Sequence, residues 1–212
     1  MKNKTFILFA ILLLTTVSAM GQRRHRTPRF DYNINAGITL NQIDGDNAGS
    51  YNQFGFHAGV NTTFTLTDDT ESPWRMMVEV GMMQKGSRVP NINRLIRLTY
   101  VQLPLALTYN IDGTRSHTRL GVGVAPGYLT TAYVSDGGVQ SPVTEGNFRS
   151  MDRMPFFVDL QYRVGDHWGF EGRVYNSMLS IVDEAGTGTY RIFRSNKGVF
   201  SRNVMLGVSY HF

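Results

Sequence analysis

The chain has 212 residues, with 21 Lys and Arg against 16 Asp and Glu, and no cysteine. That length allows one domain or at most two. A surplus of five positive charges is too small to argue for nucleic acid, and a chain without cysteine uses no disulfide and carries no lipidated cysteine.

The first residues, "MKNKTFILFAILLLTTVSAMGQ", give a basic start at Lys2 and Lys4, an apolar run from Phe6 to Leu14, and small residues at Ala19 and Gly21. This pattern predicts a secretory signal peptide over 1–21, cut before Gln22. Residues 22–28, with the basic Arg23 to Arg26, are expected as a short solvated periplasmic tail, and 29–212 as the domain. No later segment approaches a spanning helix, so a membrane-crossing form must be a closed barrel.

Eight runs with a period of two follow, the spacing of strands with two unlike faces. The first puts Phe30, Tyr32, Ile34, Ala36, Ile38 and Leu40 on one face. The second, "FGFHAGVNTTFTL", alternates Phe54, Phe56, Ala58, Val60, Phe64 and Leu66 with His57, Asn61 and their neighbours. The third sets Trp74, Met76, Val78, Val80 and Met82 against Arg75, Met77, Glu79, Met83 and Lys85. The fourth has Val101, Leu103, Leu105, Leu107 and Tyr109 on its apolar face, and the fifth Leu120, Val122, Val124 and Tyr128. The sixth opposes Phe156, Val158, Leu160, Tyr162 and Val164 to Phe157, Asp159, Gln161 and Arg163. The seventh opposes Trp168, Phe170, Val174 and Met178 to Glu171, Arg173, Tyr175 and Ser177. The last, "VMLGVSYHF", carries Val204, Leu206, Val208, Tyr210 and Phe212 on one face.

The links alternate in length. "NQIDGDNAGSYN", "SRVPNINRL", Thr130 to Asp152 and Val182 to Lys197 are the longer ones. "TDDTESP", Asp112-Gly113 and Gly165 to His167 are the shorter ones. Long and short loops sorted to opposite ends are a property of outer-membrane barrels. Parity agrees: a two-residue turn at Asp112-Gly113 joins an odd to an even apolar face, and a three-residue turn at 165–167 joins two even ones. The latter sets Asp159 opposite Arg173 and Gln161 opposite Glu171.

The polar faces collect both signs of charge: Asp31, Arg75, Glu79, Lys85, Arg119, Asp159, Arg163, Glu171 and Arg173. The apolar faces end in aromatics, including Phe30, Trp74, Tyr109, Tyr128, Tyr162, Trp168 and Phe212. Aromatic girdles around an apolar band fit an inverted barrel with lipid outside and charge inside. The expected fold is all-β, an eight-stranded antiparallel up-and-down transmembrane β-barrel in the outer membrane of a Gram-negative bacterium, both termini periplasmic.

The ending "VMLGVSYHF" resembles the closing strand of outer-membrane proteins. This implies recognition by the barrel-assembly machinery through Val208, Tyr210 and Phe212. "VEVGMMQKGS" followed by "LTYVQLPLALTY" resembles the PorT-like family of outer-membrane β-barrel proteins. The matching positions are Glu79, Lys85, Gly86, Tyr100, Leu103, Pro104, Gly121, Gly123 and Arg173, with departures at Met82, Gln102 and Ser177. The namesake of that family is linked to protein secretion, which implies a secretion-associated role.

An eight-strand interior is just wide enough for side chains to fill it. The charged set therefore reads as a packed ionic plug, with a proton or ion path as the alternative. Pro104, in mid-run, is expected to cause a bulge or admit a water, and Pro126 and Pro155 to lie nearer the rim. No catalytic set emerges: none of His25, His57, His117, His167 and His211 has a serine and an acid at a telling spacing. No cofactor or metal is expected, and the partners are outer-membrane lipid and an envelope protein. The leading expectation is a structural, assembly or secretion-associated barrel that binds a protein through loops or turns. The alternative is a small-solute or ligand-binding transport barrel.

Overall fold

A computed structural model of the chain describes residues 30–44, 51–66, 72–90, 93–111, 117–136, 139–142, 148, 150–152, 154–181 and 199–212. The signal-peptide and tail segments and the Asp112-Gly113 turn lie outside these. The strands are β1 (Asp31–Asp44), β2 (Gln53–Thr65), β3 (Trp74–Val89), β4 (Arg94–Gln102), β5 (Leu105–Asn110) and β6 (Thr118–Val124). They continue with β7 (Gly127–Asp136), β8 (Val139–Pro142), β9 (Met151–Asp152), β10 (Pro155–Val164), β11 (Trp168–Ser177) and β12 (Phe200–His211).

All belong to one antiparallel sheet that closes on itself. β1 pairs with both β2 and β12, and β3 with β2 on one side and with β4 and β5 on the other. β4 and β5 form one stave of the barrel, β6 and β7 another, and β9 and β10 a third, so the ring has eight staves. Register partners followed from Phe212 through Tyr32, Thr62, Val78, Leu105, Val124, Phe156, Asn176 and Arg202 return to the last stave ten residues away, 212 to 202. Such a stagger tilts eight strands by roughly 40° and leaves a narrow interior.

Three prolines cause the breaks within staves. The Glu79 N–H donates to the Pro104 carbonyl at 2.9 Å, that of Leu103 to Pro126 at 2.9 Å, and that of Ala125 to Pro155 at 2.8 Å. In each antiparallel pair the return bond would come from the proline nitrogen, which has no hydrogen. The pairing runs past Pro104 without slipping, from Gln102 opposite Gly127 to Leu105 opposite Val124. The bulge expected there is absent. Pro126 and Pro155 follow on the next two staves, Pro155 in the same row and Pro126 one residue from it. The bulge falls instead at Thr130, where Tyr100 faces Leu129 but Thr99 faces Thr131. The Thr130 hydroxyl donates to the Thr99 carbonyl at 2.9 Å.

The strands also run further than the alternation suggested. Only residues 90–93 separate β3 from β4, so "SRVPNINRL" is mostly strand rather than a long loop. The stretch from Thr130, read as polar loop, continues as strand to Asp136 and adds β8. β3, β4, β7 and β8 thus project as a small sheet from the end of the barrel opposite the termini.

The faces are inverted relative to a soluble protein. Val60 is 59% exposed on the outer wall and its neighbour Asn61 2% exposed inside. Rings crowd the terminal end of the outer wall: Trp74 against Tyr109 at 4.9 Å, Trp168 against Tyr210 at 5.3 Å, Tyr210 against Phe212 at 5.4 Å and Phe30 against Phe64 at 5.7 Å.

Arginine at an outward position of a bilayer-spanning strand costs up to ~2–4 kcal/mol. Val60→Arg should therefore lower the yield of folded barrel in lipid vesicles far more than Asn61→Arg. Equal yields would overturn the assignment of the faces.

Candidate functional site: the charged interior

The interior is built around Arg173, which is fully buried. It sits on β11, and its guanidinium crosses the barrel to Glu79 on β3. One Nη donates to Glu79 Oε1 at 3.0 Å and the other to Oε2 at 2.6 Å. Nε reaches Asp159 Oδ1 on β10 at 3.4 Å, and Glu171 forms a further close ion pair. Three carboxylates thus converge on one planar cation, whose fork matches carboxylate geometry. Asn35 donates to Glu79 at 3.0 Å and to Glu171 at 3.1 Å, and Gln161 to Asp159 at 2.7 Å. His57 Nε2 lies 3.0 Å from Glu79 Oε1.

Asn35 on β1 reaches Glu79 on β3 over the intervening β2. It can do so because β2 has Gly59 at that level. A methyl group there would stand 2.8 Å from the Asn35 side-chain oxygen and 2.9 Å from Glu79.

Two smaller groups flank this cluster. Toward the termini, Asp31 pairs with Arg163 at 3.0 Å and Arg119 at 3.3 Å. Toward the projecting sheet, Lys85 pairs with Asp152 at 2.8 Å, Ser177 donates to the same carboxylate at 3.0 Å, and the Lys85 ammonium lies over the Tyr100 ring at 5.1 Å. Of the nine charged residues singled out in the sequence, Glu79, Asp159, Glu171 and Arg173 meet at one point. Asp31, Arg119 and Arg163 meet at another. Lys85 finds Asp152, which the sequence reading had left in a loop. Arg75 on β3 lies opposite Thr65 of β2 and Thr108 of β5. Val208 and Tyr210 face outward on β12, and Phe212 follows directly after it.

The interior has a second component that the charge pattern does not reveal. Met77, Met83, Ala106, Ala125, Phe157, Tyr175 and Met205 form a buried cluster against the ionic one. The Tyr175 hydroxyl accepts from Arg173 at 3.2 Å, and the guanidinium lies over the Phe157 ring at 5.4 Å. Met77, Met83, Phe157 and Tyr175 stand on the polar faces of their runs, but nothing local marks them as one cluster.

The ring also brings together a serine, a histidine and an acid that linear spacing concealed. Ser209 Oγ is 3.2 Å from His211 Nε2, and His211 Nδ1 is 3.7 Å from Asp31. It is not arranged as a nucleophilic triad. Arg163 donates to Nδ1 at 2.6 Å. A guanidinium can only donate, so Nδ1 is the acceptor and Nε2 bears the hydrogen. The ring therefore offers Ser209 a donor where catalysis needs a base.

Comparison with solved structures bears on the fold. In the solved structure of Ail, the attachment invasion locus protein of Yersinia pestis, in complex with the heparin analogue sucrose octasulfate, the chain is 12% identical with a TM-score of 0.51. The match covers 86% of this chain and 99% of that one. Neisserial surface protein A gives 16% identity and 0.47 over 86% and 97% of the two chains. OprG of Pseudomonas aeruginosa gives 14% and 0.40 over 87% and 97%. Identities this low speak to fold alone. No curated protein matches the sequence.

Removing one partner of a buried ion pair costs ~3–5 kcal/mol. Arg173→Gln and Asp159→Asn should each lower the urea midpoint of the folded barrel. Their double-mutant cycle should show coupling, and additive effects would place the two side chains out of contact. Gly59→Ala should also destabilise, although alanine is ordinarily the less costly residue in a strand. An unchanged midpoint would mean that Asn35 does not need the space.

The description "outer membrane protein beta-barrel domain" matches residues 20–183, most of the chain, and the protein belongs to that family.

Proposed function

We propose that this barrel is a structural, assembly or secretion-associated protein of the Gram-negative outer membrane, with both termini periplasmic, that binds an envelope protein partner. The observation that carries this reading is the filled lumen: Arg173, its three carboxylates and the Phe157, Tyr175 and Met205 layer are all buried at mid-height. A solute path would have to displace an ion-paired guanidinium. That leaves the outer surfaces to do the work. The projecting sheet of β3, β4, β7 and β8 offers a protein partner backbone and side chains beyond the lipid. The PorT-like pattern at Glu79, Lys85, Tyr100, Pro104 and Arg173 supports a link to secretion. The aromatic ending at Tyr210 and Phe212 supports insertion by the barrel-assembly machinery. A non-enzymatic role is consistent with the orientation of His211.

The test is a crosslinked pull-down from outer membranes, beside solute-flux assays on the purified barrel in liposomes. A stoichiometric partner should be recovered, and lost when residues 137–142 are replaced by a tight turn that leaves the barrel folded. Flux without a partner would instead establish a transport barrel.

A further inference from the structure

The outer wall changes character at one level. On β3 the outward residues are Trp74, Met76, Val78, Val80 and Met82, and then Gln84 and Arg88. On the neighbouring stave they are Tyr109, Leu107, Leu105, Leu103 and Val101, and then Thr99 and Arg97. Gln84 and Thr99 are direct register partners, so the apolar band ends on both staves in the same row. β7 continues the pattern, with Thr99 opposite Thr131 and Arg97 opposite Tyr133.

A cavity of about 410 Å³ opens there, and Gln84, Arg97, Thr99, Thr131, Tyr133 and Ser135 supply its polar groups. Gly86, the register partner of Arg97 on β3, brings no side chain to this row. Among the described residues no carboxylate pairs with Arg97 or with the nearby Arg88. The first layer beyond hydrocarbon is the headgroup layer.

We propose that this cup binds the phosphate of a lipid headgroup in the leaflet at the projecting end. Charge complementarity carries the assignment: one exposed guanidinium, which recognises phosphate through paired N–H donors, stands among hydroxyl and amide groups suited to the remaining oxygens. Its position carries the choice of a lipid over a soluble anion. The cup begins where the apolar band stops, so a lipid whose chains lie along Met82 and Val101 would place its phosphate there. The proposal does not rest on the identity of a protein partner or on what the interior does.

The test uses the full-length barrel in nanodiscs of phosphatidylcholine doped with phosphatidic acid. Native mass spectrometry reads the lipid retained, and Arg97→Gln is compared with Arg202→Gln. Arg202 lies on another stave and is already paired with Asp44 at 3.0 Å, so its removal controls for lost charge. Wild type and Arg202→Gln should retain phosphatidic acid over phosphatidylcholine. Arg97→Gln should lose about fivefold in that preference, the factor expected for one basic residue near an anionic surface. Three results would overturn the proposal: no preference in the wild type, equal losses in the two variants, or binding of inorganic phosphate without retention of phosphatidic acid.

Discussion

A sheet that lies in oil can have no edge, because an unpaired N–H or carbonyl there has no water to turn to. Everything else in this molecule follows from closing the ring between β1 and β12. Closure fixes the register of every stave. Because side chains alternate, a slip of one residue anywhere would carry a whole apolar face inward and its charges into lipid. Closure with eight staves and a ten-residue stagger also fixes the width of the interior, and that width obliges side chains to fill it.

The interior cluster depends on this closure and tightens it in turn. Arg173 comes from β11, Glu79 from β3 and Asn35 from β1, so their contacts join three regions of the wall that meet only in the complete ring. In an open sheet the same groups would face solvent or hydrocarbon singly. The small residues matter as much as the charged ones. Gly59 lets Asn35 pass over β2 to Glu79, and Gly55 similarly leaves room for the Thr39 hydroxyl to donate to the Gln84 carbonyl at 3.0 Å. Glycine on the polar face of these strands creates space for the long side chains of their neighbours.

Much of this was legible in the residues. Alternation with reversed polarity gave the eight staves and their outward faces. The parity of the sixth and seventh runs gave the hairpin that sets Asp159 opposite Arg173. Contacts across the lumen were not legible, because they depend on stagger. Nothing local says that Arg173 finds Glu79 or that Lys85 finds Asp152. The grouping of prolines was hidden for the same reason: Pro104, Pro126 and Pro155 lie far apart in sequence and become neighbours only once three staves are in register. The bulge at Thr130 was missed because its neighbours, Thr131 and Ala132, weaken the alternation on both sides.

Beyond Gln84 and Thr99 the rule that governs the barrel reverses. Outside stand Arg88, Arg97, Tyr133 and Ser135. Inside, Ile43, Ile96, Leu98, Tyr100 and Ile181 form an apolar cluster, with Leu129, Ala132 and Val134 packed against it. This is the arrangement of a soluble protein, built on the same strands that are inverted a few residues earlier. The bulge at Thr130 serves the change, since the extra residue turns Ala132 and Val134 toward the cluster and Tyr133 away from it. The point at which the two patterns exchange marks the boundary of the bilayer from the residues themselves. On one side of it the chain is held by lipid outside and ion pairs within. On the other it folds by burying apolar surface from water, which gives the projecting sheet a stable form beyond the lipid.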